Sequence, residues 1–234
     1  MTLLKLHFKY TKMKYGLITL GVLFCLHSFT QSIYGKVTDK NFREYPEFNE
    51  VINPKNFKSE ILNAAIFFAT NEIRAKNRLS ILDYHPLLEA AATLHSEEMV
   101  NKNFFGHTNK KNKRLKEPED RAKVAGIVNA SIAENVAEEF ILNYKSGDKV
   151  VARGPGEFSK QNSNQLLPAH TYLTLADQLL ANWMNSKDHR ANILSNKAVQ
   201  LGCGTAFYKM QNFNDMPAVK ATQNFQWFHK VKSR

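Results

Sequence analysis

Val199-Gln200-Leu201-Gly202-Cys203-Gly204-Thr205-Ala206-Phe207-Tyr208 and, beyond Asn214-Asp215, Pro217 to His229 alternate with period two. That is the repeat of a strand whose two faces meet different surroundings. The turn pair between the runs tolerates left-handed backbone, so the segment predicts an antiparallel hairpin. Upstream the period changes. Ser59 is placed to cap a helix, and Leu62, Ile66, Ala69 and Ile73 recur at steps of four, three and four to give one apolar stripe. A second helix starts at Pro86, where the missing N–H needs no partner, and runs to about Asn101 with Leu88, Ala92, His95 and Met99 on its buried face. Pro118-Glu119-Asp120, with Gly126 at the far end, marks a short third helix. Tyr172, Leu175, Leu179 and Trp183 share one face of a fourth. Helices first and a hairpin last predict the α+β class.

The start of the chain carries a different signal. Lys5, Lys9, Lys12 and Lys14 precede an apolar run from Gly16 to Leu26, and small and polar residues follow, which is the layout of an export signal over residues 1–30. Met13-Lys14 would make a more ordinary start for such a signal. The run is too short to span a bilayer, which takes about 20 apolar residues, so no transmembrane span is expected after cleavage. An uncleaved N-terminal anchor is the alternative. Cys25 follows the bulky Phe24, which disfavours lipidation there. Removing residues 1–30 takes away four lysines and no acid and lowers the formal charge from +11 to +7. Cys203 is then the lone thiol, so no intrachain disulfide can form; its place in the strand pattern reads as a buried small hydrophobe. The hydrophobic content of 43% supports a core in a single domain.

Residues 31–57, with Pro46, Pro54 and no period, read as an exposed leader, and the domain is expected over 58–230. Between Phe140 and Thr171 the pattern dissolves into Gly, Pro, Ser, Asn and Gln, which reads as a loop insertion at 140–171 leaving the scaffold near Glu134. Lys110, Lys111, Lys113, Arg114, Lys116, Arg121 and Lys123 crowd one segment. They read as a solvated face or as an attraction to anionic lipid or cell-surface polymer. Nucleic acid is not expected, since no recognised binding motif accompanies the charge.

Three short blocks hold the chemistry: Phe105-Gly106-His107-Thr108, Ala133-Glu134-Asn135-Val136, and Trp183 through Arg190 with His189. Two neutral imidazoles and a carboxylate can hold a divalent ion with a position left open, or can share protons in a cleft. With eight histidines and 21 acids in the chain, spacing alone decides for neither. Gly106 is expected to stop a helix and re-aim the chain into His107, and Asn135 to hold Glu134 on a bend. Ser186 is placed as an N-cap, which sets His189 in the first turn of a helix, where the dipole favours neutral imidazole. His95 sits on a buried helix face and is expected to be a core imidazole bonded locally. Thr108 and Ser186 lie outside any nucleophile-elbow motif, so a serine hydrolase is disfavoured.

Asn71-Glu72-Ile73-Arg74, Leu82-Asp83, Ala91-Ala92, His95, Phe105 and His107, then Ala133 to Val136, Trp183 to Leu194, Leu201 to Ala206 and Gln223-Asn224-Phe225 follow in order. This series resembles the cysteine-rich secretory, antigen 5 and pathogenesis-related superfamily, the CAP or SCP-like domain, in its short bacterial form. The resemblance implies an α-β-α sandwich, a central antiparallel sheet between helical layers. It also implies a cavity built on two histidines and two acids. His107, Glu134 and His189 match three of these positions, and Ser186 stands where the fourth acid would be. The three make a ligand set for a divalent metal, zinc above others, and are equally the candidates for any catalysis; the competing reading is a hydrogen-bond network without turnover.

The expectation for function is an exported, secreted or otherwise extracytoplasmic binding module. It would take a lipid, a small apolar ligand, or a cell-surface or protein partner. The alternatives are a metal-dependent hydrolase acting on peptide or cell-envelope substrates and a structural or adhesive surface domain.

Overall fold

The computed structural model describes residues 33–144 and 147–234. The expected export segment therefore lies outside the described residues. Contacts divide the chain into a short N-terminal unit ending at Lys36 and a unit from Val37 to Arg234, and the second is the domain described here.

Its helices are α1 (Ser59–Lys76), α2 (Pro86–Asn101), α3 (Pro118–Ala125), α4 (Tyr172–Asn185) and α5 (Lys187–Ile193). The strands are β1 (Asp83–Tyr84), β2 (Ile132–Phe140), β3 (Val150–Gly154), β4 (Glu157–Lys160), β5 (Ala198–Met210) and β6 (Met216–Trp227). The main sheet runs β1-β5-β6-β2. The expected hairpin is its centre: β5 pairs antiparallel with β6 from Ala198↔Trp227 to Met210↔Met216, and the turn passes through Asn214 and Asp215, both left-handed. β2 adds antiparallel to β6, with Glu134 opposite Asn224, while β1 joins β5 in parallel.

Alternation along β5 decides the layers. A Cβ on Gly202 or Gly204 would collide with the backbone of α2 at Leu88–Glu89 and Ala92–Thr93, so both positions must be glycine for that helix to lie flat on the sheet. The neighbouring Thr205 points the other way and donates to Asn63 of α1 at 2.8 Å. Helices α1 and α2 thus cover opposite faces. On the α1 side an amide chain ties the layers: Gln223 donates to Thr70 at 2.8 Å, Asn135 to Gln223 at 3.0 Å, and Asn192 of α5 to Asn135 at 2.9 Å. This is the α+β, α-β-α sandwich expected from the sequence, except that the short parallel strand β1 makes the sheet mixed rather than wholly antiparallel. Leu62, Ile66, Leu201, Cys203 and Phe225 are buried at its centre, and each full side-chain burial of a large residue is worth about 1.5–3 kcal/mol. Burial pushes the Cys203 thiol well above its ordinary range, as befits an inert core residue.

Two expectations change. Residues 37–57 are not an exposed leader. They form three short 3₁₀ turns, two of them opened by Pro46 and Pro54; Phe42 and Phe48 of the first two and Ile52 before the third are buried, and Phe42 stacks on Phe68 of α1 with ring centroids 6.0 Å apart. Arg43 adds ion pairs to Glu72 at 2.6 Å and Asp177 at 3.0 Å. The aromatic residues cover an apolar face of α1 that would otherwise meet water, a long-range need invisible to local periodicity. The 140–171 insertion is likewise more than a loop. Strands β3 and β4 pair as a hairpin over an apolar cluster of Leu142, Phe158, Leu167 and Met216.

Candidate functional site

Edge strand β2 and its capping side chains build the site. Glu134, expected on a bend, stands within the strand, because Asn135 spends its amide on His189 O at 3.1 Å and on Gln223 instead of on its own backbone. The outer edge of β2 is closed by side chains: Trp183 Nε1 donates to Val136 O at 3.1 Å and Asn192 to Glu134 O at 3.3 Å. Those bonds fasten α4 and α5 to the strand, and they set His189, the third residue of α5, beside it. Ser186 is the N-cap residue as expected, although its hydroxyl makes no capping bond. His107 arrives from the opposite layer. Helix α2 ends at Asn101, and Gly106, at φ 134°, turns the connecting loop rather than the helix end.

At this corner Glu134 is buried and doubly held. His107 Nδ1 lies 2.9 Å from Oε1, and Arg121 Nη2 donates to Oε2 at 2.7 Å. Asn224, the cross-strand neighbour, donates to Oε2 at 3.2 Å once its amide is turned to face the carboxylate. Burial pushes the Glu134 carboxyl up, but the His107 bond, the nearby His95 and the charge and hydrogen bond of Arg121 together outweigh it and hold the group below its ordinary value. The bond to Glu134 raises His107 against the pull of burial. His189 is lowered, by burial first and by the proximity of His107 second. The His107 and His189 rings stand 6.5 Å apart between centroids. The His107 side chain is 49% exposed, and neither ring nitrogen of His189 has a hydrogen-bond partner among the described residues.

His95 keeps the core role read from the sequence. Its Nε2 donates to Gly106 O at 3.0 Å and lies 3.6 Å from Glu134, and burial depresses it to about 4. Arg121 is the residue that sequence reasoning missed. In the sequence it is one of the basic residues crowded between Lys110 and Lys123, yet its side chain is 0% exposed and also donates to Leu115 O, Lys116 O and His107 O. No local signal marks it, since it shares its helix with exposed Lys123 and its partner is on a strand.

The expected three-ligand metal set is not assembled among the described residues. Among the described residues no group of three or more His, Cys, Asp or Glu is placed to hold an ion. The reason is that Glu134 has committed both oxygens to His107 and Arg121, which leaves two imidazoles, not a trio, facing outward. No hydroxyl among the described residues hydrogen-bonds either imidazole; Thr108 donates to Glu117 at 3.1 Å.

The 140–171 insertion does not emerge beside this corner. It leaves β2 six residues after Glu134, about 20 Å along a strand that rises roughly 3.3 Å per residue, and its hairpin rests on the β5–β6 turn through Gly156 N–H to Asn214 O at 2.8 Å.

A four-stranded sheet between helical layers, with a His/Glu/Arg corner on its edge strand, defines a class of α+β sandwich domain. Residues 67–225 match the family model described as CAP: Cysteine-rich secretory protein family, and the chain belongs to that family. A Bacillus subtilis (strain 168) protein named uncharacterized membrane protein YlbC is 27% identical over 172 residues, which span 70% of this chain and 39% of that one. The chain thus covers well under half the length of that relative. Among solved structures, an extracellular protein containing a SCP domain from Bacillus anthracis str. Ames is 22% identical with a TM-score of 0.47, covering 72% of this chain and 41% of that one. A cysteine-rich secretory protein from Staphylococcus aureus subsp. aureus Mu50 is 15% identical with a TM-score of 0.44, covering 73% and 39%.

Proposed function

We propose that the chain is an exported binding module of its family, and that the corner where His107 faces His189 is where the polar group of its ligand docks. The observation that supports this reading is the double engagement of Glu134. A carboxylate held by an arginine and a histidine, and kept ionised, is a poor free base, whereas His107 Nε2 and the His189 ring keep unspent nitrogens. On this reading those two imidazoles are the inner ligands for a divalent ion such as zinc, and Glu134 orients His107 from behind. The bound ion would supply a positive charge that fixes an oxygen of the ligand. The proposed occupants are the oxygen-bearing end of a lipid or small ligand, or a carboxylate on a cell-surface partner.

Export rests on the Lys-rich start and short apolar run of residues 1–30. Among the described residues no helix is long and apolar enough to cross a membrane. The Bacillus subtilis relative is named a membrane protein, so an uncleaved anchor is the alternative. Fractionation of cells making the full chain, with N-terminal sequencing, separates the two, and full-length protein in the cytoplasm would exclude both.

Zinc calorimetry tests the corner. His107→Ala and His189→Ala are expected to abolish binding, Glu134→Gln to weaken it about 10–100-fold through loss of orientation, and His95→Gln to change it least. Equal losses at all four positions, or no binding by the unmodified chain, would remove the metal from this reading. A metal-dependent hydrolase is the second reading, since an ion held by two imidazoles keeps positions open for a water. Zinc-stimulated release of peptides from casein, lost in both histidine variants, would put it first.

A further inference from the structure

A second site lies on the α2 face of the sheet, beyond the end of that helix. A cleft of about 700 Å³ opens there between the loop after α2 and the ends of β2, β5 and β6, within the roughly 300–1,000 Å³ usual for small-ligand sites. Its floor is a fixed carboxylate. Glu138 Oε1 accepts from the Tyr208 hydroxyl and lies 3.7 Å from Lys220 Nζ. Lys220 is itself buried, donates to Phe104 O at 2.8 Å and Met99 O at 3.2 Å, and stands 5.2 Å from the Tyr208 ring centroid. The ammonium therefore closes the carbonyl end of α2 and balances the charge of Glu138 at once. Glu138 Oε2 has no protein partner among the described residues.

The lining above this floor has two further properties. Asn103, Gln211 and Asn212 all face the cleft, and none of their side-chain amides makes a hydrogen bond to another described residue. Most other asparagines of the loops and caps, such as Asn49, Asn53, Asn109, Asn112 and Asn214, are bonded. Phe105 also lines the cleft and is 53% exposed.

These groups specify an occupant by complementarity. A balanced carboxylate offers acceptance without net attraction for a cation, so it suits neutral hydroxyl donors better than an ammonium group. Amides both donate and accept, which matches groups that do the same, and hydroxyls are such groups. An exposed ring adds one flat apolar contact. A molecule rich in hydroxyls that also has an apolar C–H face is a sugar ring. We propose that this cleft is a carbohydrate-binding site, with Phe105 as the stacking platform, Glu138 and the three amides as hydroxyl partners, and Tyr208 and Lys220 as the groups that hold Glu138 in place. It uses no residue of the His107–Glu134–His189 corner, so either assignment can fail without the other.

The test is an NMR titration of the purified chain with maltotriose, cellotriose and chitotriose. Saturable shifts of the backbone amides of residues 103–105, 138 and 208–212 are expected with at least one of them, with a Kd of order 1 mM. Phe105→Ala and Glu138→Gln, at partly exposed positions, should keep the fold by circular dichroism and each weaken binding about tenfold, while Val128→Ala on a distant surface leaves it unchanged. The proposal is overturned if none of the three sugars gives saturable shifts, if the shifts fall outside the cleft, or if both variants bind like the parent. Decanoate occupying the cleft in place of all three sugars would mark it as an apolar-ligand site and overturn it as well.

Discussion

Arg121 shows how much one residue can carry. Its guanidinium gathers three loop carbonyls and the Glu134 carboxylate into one buried node. Removing one member of such a pair leaves the other charge buried and unpaired, so Arg121→Met should cost about 3–5 kcal/mol in urea unfolding. Adding Glu134→Gln to that variant should restore part of the loss; a double variant less stable than Arg121→Met alone would show that the node is not a charge pair. His95 gives the same corner a pH response. Its folded value near 4 lies below the ordinary 6.5, so the unfolded chain binds more protons between those limits and stability must fall on acidification across that window. The loss is about 3 kcal/mol at 1.36 kcal/mol per unit. Glu134, depressed when folded, adds to the acid loss at lower pH. His107 acts in the opposite sense. Its raised value contributes stability below pH 6.5 that disappears as pH rises through the folded value. In His95→Gln the unfolding midpoint should vary less between pH 6.5 and 4, and an unchanged slope would assign the acid sensitivity elsewhere. Arg74 and Asn71 explain another part of the resemblance. Arg74 Nη1 clasps Ile193 O at 2.7 Å and Ser195 O at 2.9 Å, and Asn71 exchanges two bonds with the Leu82 backbone. The motif around them is a set of backbone clamps, two of which anchor the end of α5.

Among elements, β2 and the helices that seal its edge position the chemistry. An open edge strand presents unpaired carbonyls, and here Trp183 and Asn192 satisfy two of them. Trp183→Phe keeps most of the buried volume but orphans Val136 O, so a loss of about 1–3 kcal/mol is expected in thermal or urea unfolding. The His189 ring should become more mobile, read as broadened imidazole resonances. The β3–β4 hairpin makes a contrasting case. Asn143 N–H already bonds Pro168 O at 2.8 Å, so a Gly-Gly link between those residues closes the base of the hairpin and removes everything outside it. Losing the burial of Phe158 and Leu167 costs about 2–5 kcal/mol for each side chain, but their cluster is separate from the sandwich core, so the melting temperature should drop while the domain still folds. Zinc affinity and the His107 titration should not change, because the hairpin stands at the far end of β2. A shift in the His107 titration would place the insertion back beside the site.

At the scale of the molecule, the domain begins earlier than its helical pattern suggests. Phe42, Phe48 and Ile52 are at most 2% exposed, and removing a buried Phe or Ile side chain costs about 2–5 kcal/mol. Three such losses reach the whole stability of a typical domain, about 5–15 kcal/mol. A chain starting at Ser59 should therefore be insoluble or molten, and one starting at Val37 should melt cooperatively; calorimetry on the two decides it. The α+β class, α1, α2, α3 and α4, the β5–β6 hairpin and the buried Cys203 were legible in the sequence. So was the family, together with His107, Glu134 and His189 as the residues to watch. All of these rest on short-range regularities, a period, a cap or a glycine at a turn, or on an ordered series of short blocks. What only the tertiary structure decided is of another kind. That Glu134 lies on a strand, that Arg121 is its counter-ion, that both its oxygens are already engaged by protein donors, and that residues 37–57 belong to the core all depend on groups far apart in the chain. Such pairings are set by how strand, helix and loop pack, and a buried arginine is written with the same letter as its exposed basic neighbours until the packing around it is known.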